Sequence, residues 1–133
     1  MSEILAKATT GVEKYKTAIE ARTHTYIADE PLDENGQDLG MKPTELLAGA
    51  LASCTSITLR MYADRKGWDT GEIYVTVNLV RDTAASLSTF TRIVSFEKEV
   101  EPAQKERLLS IANACPVHKI LSGSIQIDTQ IGG

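Results

Sequence analysis

The chain has little of several features that would identify a function class at once. Only two of its 133 residues are cysteines, 5% are aromatic, and the net charge at pH 7 is −4. So few cysteines exclude a disulfide-dense miniprotein, and a negative net charge leaves no electrostatic footprint for nucleic acid or an anionic membrane. We therefore expect neither nucleic acid nor a membrane among its partners.

A long hydrophobic run is also missing. The longest stretch without a charged residue covers residues 46–59, and these 14 residues are fewer than the ~20 that a bilayer span needs. The first ten residues lack the order of charged, apolar and small residues that marks a secretory signal. These features predict a cytosolic protein, in which a lone cysteine pair is redox-active, metal-binding or simply buried more often than it is a structural disulfide.

What is present is the composition of an ordinary globular domain. Hydrophobic residues make up 42% of the chain and charged residues 24%, and the length is typical of one domain. The sequence therefore predicts a single domain over residues 1–133. It contains no P-loop, no G-x-G-x-x-G after a strand and no G-x-S-x-G, so nucleotide binding and serine hydrolysis have no support and we expect no cofactor.

The clearest local pattern is a long central helix. Pro43 suits its first turn, Glu45 complements the positive end of the helix dipole, and Gly67 is a typical C-terminal stop. Apolar and small residues recur between them at spacings of three and four. This predicted buried stripe consists of Leu47, Ala50, Cys54, Ile57 and Met61, and it is broadened by Leu46, Leu51 and Tyr62.

The remaining segments predict strands and two shorter helices. A second helix opens at Pro102 and stops before Cys115, and a short helical turn follows over residues 117–121. Arg22 lies at or near the turn between the first two strands. Strands are expected over residues 12–21, 23–28, 73–80, 90–100 and 124–131. The order β-β-α-β-β-α-β indicates an α+β domain with mainly antiparallel sheet.

The two cysteines occupy different kinds of position. Cys54 lies on the apolar stripe, where a buried hydrophobe is its simplest interpretation. Cys115 precedes Pro116, a residue favoured at the first helical position, so Cys115 is placed as an N-cap. A sulfur there faces free N–H groups, which favours the thiolate, although Cys115 also suits a packing role between helices. Together the two cysteines indicate a paired redox function.

Other interpretations remain for the polar residues. Cys115 and His118 have the C-x-x-H spacing of metal sites, and Cys54 and His24 would complete a tetrahedral zinc set. No second close-spaced pair exists, so we expect no metal; His118 is then a solvated residue or a group that stabilises the Cys115 thiolate. Without further context, Glu45 is a residue of the first helical turn and Arg22 a surface turn residue.

Two segments carry a family resemblance. PTELLAGALASCTSITLRMYADRKGW (Pro43–Trp68) and CPVHKIL (Cys115–Leu121) resemble the signature regions of the OsmC/Ohr family, the osmotically inducible protein C and organic hydroperoxide resistance proteins. The likeness covers essentially the whole chain and is greatest to short OsmC-like proteins with an ADEP segment (Ala28–Pro31). It implies an OsmC-like α+β fold: a mainly antiparallel sheet, a long central helix and a second C-terminal helix, in an intertwined homodimer.

The resemblance also implies an activity. Family members are thiol-dependent peroxidases that reduce organic hydroperoxides in oxidative stress. Cys54 would be the peroxidatic cysteine and Cys115 the resolving one, and a dithiol, lipoylated or small, would reopen their disulfide. Glu45 matches the family's helix-start glutamate, and Arg22 is the nearest match to its hairpin arginine. The alternative is a non-catalytic OsmC-like protein that binds a small apolar or thiol-reactive ligand at the dimer interface.

Helix geometry adds one independent argument. Nine residues separate Glu45 from Cys54, which places them on opposite faces of one helix and ~13.5 Å apart along its axis. Glu45 therefore cannot easily serve Cys54 of its own chain. If both act at one site, the glutamate must come from a second copy.

Overall fold

The chain divides into two compact units. The computed structural model describes residues 3–132, and its units are Met1–Leu47 and Ala48–Gly133. The boundary falls inside the central helix. The order of elements is β-β-β-α-β-β-α-α with one additional short 3-10 helix, which confirms the α+β class and the antiparallel pairing.

The first unit is a three-stranded antiparallel sheet. Its strands are β1 (Lys7–Thr10), β2 (Thr17–Ala21) and β3 (His24–Ala28), in the order β1-β2-β3. A two-residue turn joins β2 to β3, and Arg22 adopts a left-handed conformation in it, with φ 56°. The 3-10 helix Leu32–Glu34 follows.

The prediction of one strand over residues 12–21 was wrong in its first half. Only Thr17–Ala21 pairs in the sheet, and β1, which precedes this range, was not expected. The physical reason lies at Asp29, which is buried. Its carboxylate accepts the backbone N–H of Tyr15 at 2.9 Å, so this amide bonds to a side chain and not to a neighbouring strand.

The central helix α1 spans Pro43–Lys66, as predicted. The Glu45 carboxylate accepts the backbone N–H of Lys42 at 2.9 Å, which satisfies a donor at the helix start. Gly67 ends the helix with φ 70°, a conformation that favours glycine. By length and composition α1 would also suit a membrane span, but this is weak evidence, since core helices of soluble proteins pass the same test.

The buried face of α1 agrees with the predicted stripe only at Leu51 and Tyr62, which broaden it, and not along its centre. Ile57 and Met61 are 54% and 66% exposed, and Cys54 is only partly buried. Apolar and small residues occur around most of the circumference of this helix, so their spacing alone is compatible with more than one buried face. In the structure, the face that packs lies beside the centre of the predicted stripe. The buried residues are Leu51, Thr55, Leu59, Tyr62 and Ala63.

The second unit places a hairpin and two helices around the rest of α1. Strands β4 (Ile73–Asp82) and β5 (Leu87–Phe96) pair antiparallel, with Ile73 opposite Phe96. Helices α2 (Pro102–Ala112) and α3 (Pro116–Ser122) follow. The core of this unit is formed by Leu59, Tyr62, Val100, Leu108 and Ala112. β5 ends at Phe96, whereas its predicted range extended to residue 100. Val100 belongs to this core and not to the strand.

The final predicted strand is absent. Residues 124–132 form no helix or strand, although Ile125 and Ile127 alternate as in a strand. Their side chains are 57% and 83% exposed. Alternation describes one face of a strand, but a strand forms only where a neighbouring edge supplies hydrogen-bond partners, and within residues 3–132 this segment pairs with none.

Candidate active site

Both cysteines belong to the second unit, where they are free thiols. Cys54 lies on α1 and is partly buried, whereas Cys115 is completely buried. Although 60 positions of sequence lie between them, Thr55, the next residue after Cys54 on α1, has its Oγ1 3.7 Å from the Cys115 sulfur, and the Cys54 thiol is among the groups that lower the pKa of Cys115. The fold thus brings together the two residues that the sequence singled out.

Cys115 is the N-cap of α3, as predicted. Its backbone is extended, with φ −67° and ψ 143°, and Pro116 occupies the first helical position. Proline has no N–H, and the Cys115 sulfur accepts the backbone N–H of His118 at 3.4 Å. The residue order Cys-Pro-x-His therefore aims an amide at the sulfur.

Thr55 is the second neighbour of the buried sulfur. Its Oγ1 lies 3.7 Å from Cys115 Sγ and 2.7 Å from the carbonyl oxygen of Leu51, to which it donates. A hydroxyl has a single proton to donate. Thr55 can therefore turn that proton from the Leu51 carbonyl to the sulfur when Cys115 becomes a thiolate.

Arg92 of β5 supplies the positive charge of the site. Its Nη1 donates to Thr55 Oγ1 at 3.0 Å, and its Nη2 lies 2.9 Å from Asn113 Oδ1 and 3.1 Å from His118 Nδ1. Three neutral groups thus hold the guanidinium. Within the described residues it forms no ion pair with a carboxylate, so its charge is left to act on the sulfur.

These contacts set the ionisation of Cys115. Burial, the largest single influence, raises the pKa of this thiol. Four other influences lower the pKa and together outweigh burial: the His118 N–H, the Thr55 hydroxyl, the Cys54 thiol and the charge of Arg92. The resulting pKa is below the ordinary value of 9.0. The thiolate that the N-cap position predicts is therefore supported by the whole surrounding network.

The ring of His118 is oriented by Arg92. An arginine can only donate, so the Nδ1 that faces it must accept and the ring proton must sit on Nε2. His118 consequently helps to hold the guanidinium and donates its backbone N–H to Cys115. Its Nδ1 faces a cation, which does not favour a zinc ligand, and in the described part of the chain no three His, Cys, Asp or Glu side chains cluster for a metal.

The other two sequence-predicted site residues, Arg22 and Glu45, lie in the first unit. Arg22 is exposed in the β2–β3 turn, and Glu45 is exposed at the start of α1. Their predicted roles beside the cysteines stay predictions. The arginine that does contact the cysteine site, Arg92, was missed by sequence reasoning.

A signal for Arg92 exists in the sequence. On β5, alternate side chains are half-buried, and these are Phe90, Arg92, Val94 and Phe96. Arg92 is the one charged residue among three apolar ones. A charged side chain on the inward face of a strand needs a polar partner. The alternation along β5 could therefore have identified Arg92 as a candidate site residue.

The comparisons with known proteins agree with this architecture. The family model described as OsmC-like protein matches residues 36–130. The chain belongs to the OsmC-like family. No curated protein is similar enough in sequence to count as a match.

Solved OsmC-like structures share the fold at low sequence identity. An OsmC-like protein from Mycoplasma pneumoniae is 18% identical, with a TM-score of 0.73, and the alignment covers 92% of this chain and 89% of that one. The organic hydroperoxide resistance protein OhrB of Bacillus subtilis is 19% identical, with a TM-score of 0.63 and 92% coverage of each chain. At such identities the likeness establishes the OsmC fold alone.

Proposed function

We propose that this OsmC-like protein is a thiol-dependent peroxidase that reduces organic hydroperoxides to alcohols. The observation that carries the proposal is the buried Cys115 thiol, whose pKa is lowered both by the Cys54 thiol and by the charge of Arg92, a guanidinium that no described carboxylate neutralises. The similarity to an organic hydroperoxide resistance protein supports the same chemistry. Cys54 is the peroxidatic cysteine and Cys115 the resolving one.

Exposure supports this division of roles. Cys115 is completely buried, so a peroxide in solution cannot reach its sulfur directly. Cys54 is partly exposed on α1, and its neighbour Thr55 contacts the Cys115 sulfur. The more accessible thiol therefore meets the substrate, and the lowered pKa of Cys115 provides a thiolate for the second step.

The first step is a nucleophilic displacement at oxygen. The Cys54 thiolate attacks one peroxide oxygen, an S–O bond forms, and the O–O bond breaks. The alkoxide leaves with the electron pair of that bond and takes a proton to become the alcohol. The sulfur is oxidised by two electrons to a sulfenic acid, while the peroxide is reduced by two.

The second step closes a disulfide. The Cys115 thiolate attacks the Cys54 sulfenic sulfur, an S–S bond forms, and hydroxide leaves to become water with one proton. A dithiol reductant, lipoylated or small, then exchanges with this disulfide, which restores both thiols and oxidises the reductant to its own disulfide. Disulfide formation prevents further oxidation of Cys54 to the sulfinic acid.

The assembly and compartment follow from the same proposal. We propose a homodimer, because Ile57 and Met61 expose one apolar face of α1 and because helix geometry requires a second copy for Glu45 to serve Cys54. We also propose the cytosol, since its reducing conditions return the thiols after each cycle.

Peroxide consumption tests the function. With cumene hydroperoxide and dihydrolipoamide, we expect steady turnover by the wild type and only background consumption by Cys54→Ser, because the attacking sulfur is gone. Cys115→Ser should react with peroxide but accumulate sulfinic acid at Cys54, which mass spectrometry detects.

Ser53→Ala is the matched control, since the hydroxyl of this exposed neighbour of Cys54 donates to the Ala50 carbonyl of its own helix, and it should keep wild-type activity. Equal consumption by the wild type and Cys54→Ser would disprove the proposal, and background consumption by both would favour a protein that only binds its ligand.

A further inference from the structure

A small cavity adjoins the cysteine site within the second unit. Its volume is about 200 Å³, which corresponds to six or seven waters at ~30 Å³ each. Arg92 and His118, which both contact the cysteine network, form part of its wall. We call it the Arg92 cavity, and it is lined by Leu51, Phe90, Arg92, His118, Leu121 and Ser122.

The polar wall of the Arg92 cavity offers donors. A guanidinium has five N–H groups, and contacts to Thr55, Asn113 and His118 account for three of them, which leaves two. His118 retains its Nε2–H, because its Nδ1 accepts from Arg92. Ser122 already donates its hydroxyl proton to the His118 carbonyl at 2.7 Å. A ligand that enters must therefore supply acceptors.

The charge of this wall is positive and unneutralised. Arg92 has no carboxylate partner among residues 3–132, and its guanidinium is partly buried. A charge in such a position gains much more from an ionic partner than an exposed one does. Leu51, Phe90 and Leu121 complete the wall with apolar surface, so the opposite end of the ligand must be apolar.

We propose that the Arg92 cavity binds the carboxylate of a small molecule whose body is apolar. The carboxylate accepts from Arg92 and His118, and the body packs against Phe90 and Leu121. The inference rests on the proposed function, because it names the class of molecule that approaches the cysteines: an organic hydroperoxide or a thiol that also carries a carboxylate.

A pair of isosteric probes tests the site without catalysis. Benzoate and benzamide have nearly the same shape, but only benzoate carries a charge. With the reduced protein, isothermal titration calorimetry should give roughly ten- to hundredfold tighter binding of benzoate, as expected for hydrogen bonds to a charged group. Equal affinities would overturn the proposal.

Three variants locate the binding. Arg92→Gln should remove the preference for benzoate, whereas Arg81→Gln, an exposed arginine on β4, should retain it. Leu121→Trp fills the cavity and should abolish binding of both probes while leaving Arg92 in place; circular dichroism checks that each variant is folded. Undiminished benzoate binding by a folded Leu121→Trp would place the probe elsewhere and disprove the site.

Inhibition kinetics then separate the two sources of the carboxylate. If benzoate competes with a hydroperoxide that carries a carboxylate, the cavity belongs to the peroxide; if it competes with dihydrolipoate, a dithiol that carries one, the cavity belongs to the reductant. Benzoate that binds the protein but competes with neither the peroxide nor the dithiol would overturn the assignment. Should the protein consume no peroxide at all, the proposed function fails, but the ratio of benzoate to benzamide affinity still decides the site.

Discussion

Arg92 combines three tasks that usually fall to different side chains. It donates to Thr55, orients His118 and places a positive charge beside Cys115. The first two depend on the planar fork of donors that lysine lacks, and the third depends on the charge alone. Its position on a regular strand fixes the guanidinium more firmly than a loop would.

Removing this charge should raise the pKa of Cys115. The folded-state pKa lies below 9.0, so the thiolate persists to lower pH than in an ordinary thiol. Arg92→Gln in a Cys54→Ser background should therefore move the thiolate titration, followed by ultraviolet absorbance, to higher pH. Arg81→Gln in the same background serves as the control, and an unmoved titration in Arg92→Gln would contradict the role.

Residue-level chemistry was only partly predictable. The N-cap role of Cys115 follows from its neighbour Pro116, because the signal is local in sequence. Thr55 and Arg92 reach the same sulfur from α1 and β5, and only tertiary packing brings them there. The resemblance indicated an arginine of the N-terminal hairpin, with Arg22 as its nearest match, and gave no indication of Arg92 on β5.

At the scale of elements, the capping of α1 provides a way to separate two roles of Glu45. Its carboxylate accepts the Lys42 amide at the helix start, and glutamine can accept the same bond. Glu45→Ala should lower the free energy of unfolding by roughly 0.3–1.5 kcal/mol, and Glu45→Gln should not. Urea unfolding measures both changes.

Peroxidase activity completes this comparison. If the carboxylate acts on the cysteine of a second copy, as the resemblance implies, Glu45→Gln should keep its stability but lose turnover. Unchanged turnover in Glu45→Gln would leave the residue with the capping role alone.

The central helix and the C-terminal segment differ in how well the sequence predicted them. α1 has local start and stop signals at Pro43 and Gly67, so its bounds were predicted. Residues 124–131 have only a strand-like alternation, which carries no information about a partner edge. Their isoleucines remain exposed, and pairing, not pattern, decides whether a strand forms.

For the whole molecule, the exposed face of α1 predicts association. Ile57 and Met61 are one helical turn apart and both more than half exposed, which is costly in water for a large apolar pair. Light scattering after gel filtration should give twice the mass of the chain for the wild type, and Ile57→Asp should shift the population towards the monomer.

Leu87→Asp provides a comparison, because Leu87 is also exposed (58%) but belongs to β5 and not to α1. It should leave the dimer intact. A wild-type protein that remains monomeric at high concentration would contradict the proposed assembly.

The distance in sequence between the cysteines has a consequence for chain topology. A bond between Cys54 and Cys115 would close a loop of about 60 residues that contains β4, β5 and α2. Loop closure of this size restricts the unfolded chain enough to stabilise the folded one by about 4 kcal/mol in the chain-entropy model. In each catalytic cycle the chain would thus alternate between a cross-linked and an open form. The oxidised protein would be more resistant to unfolding than the reduced one.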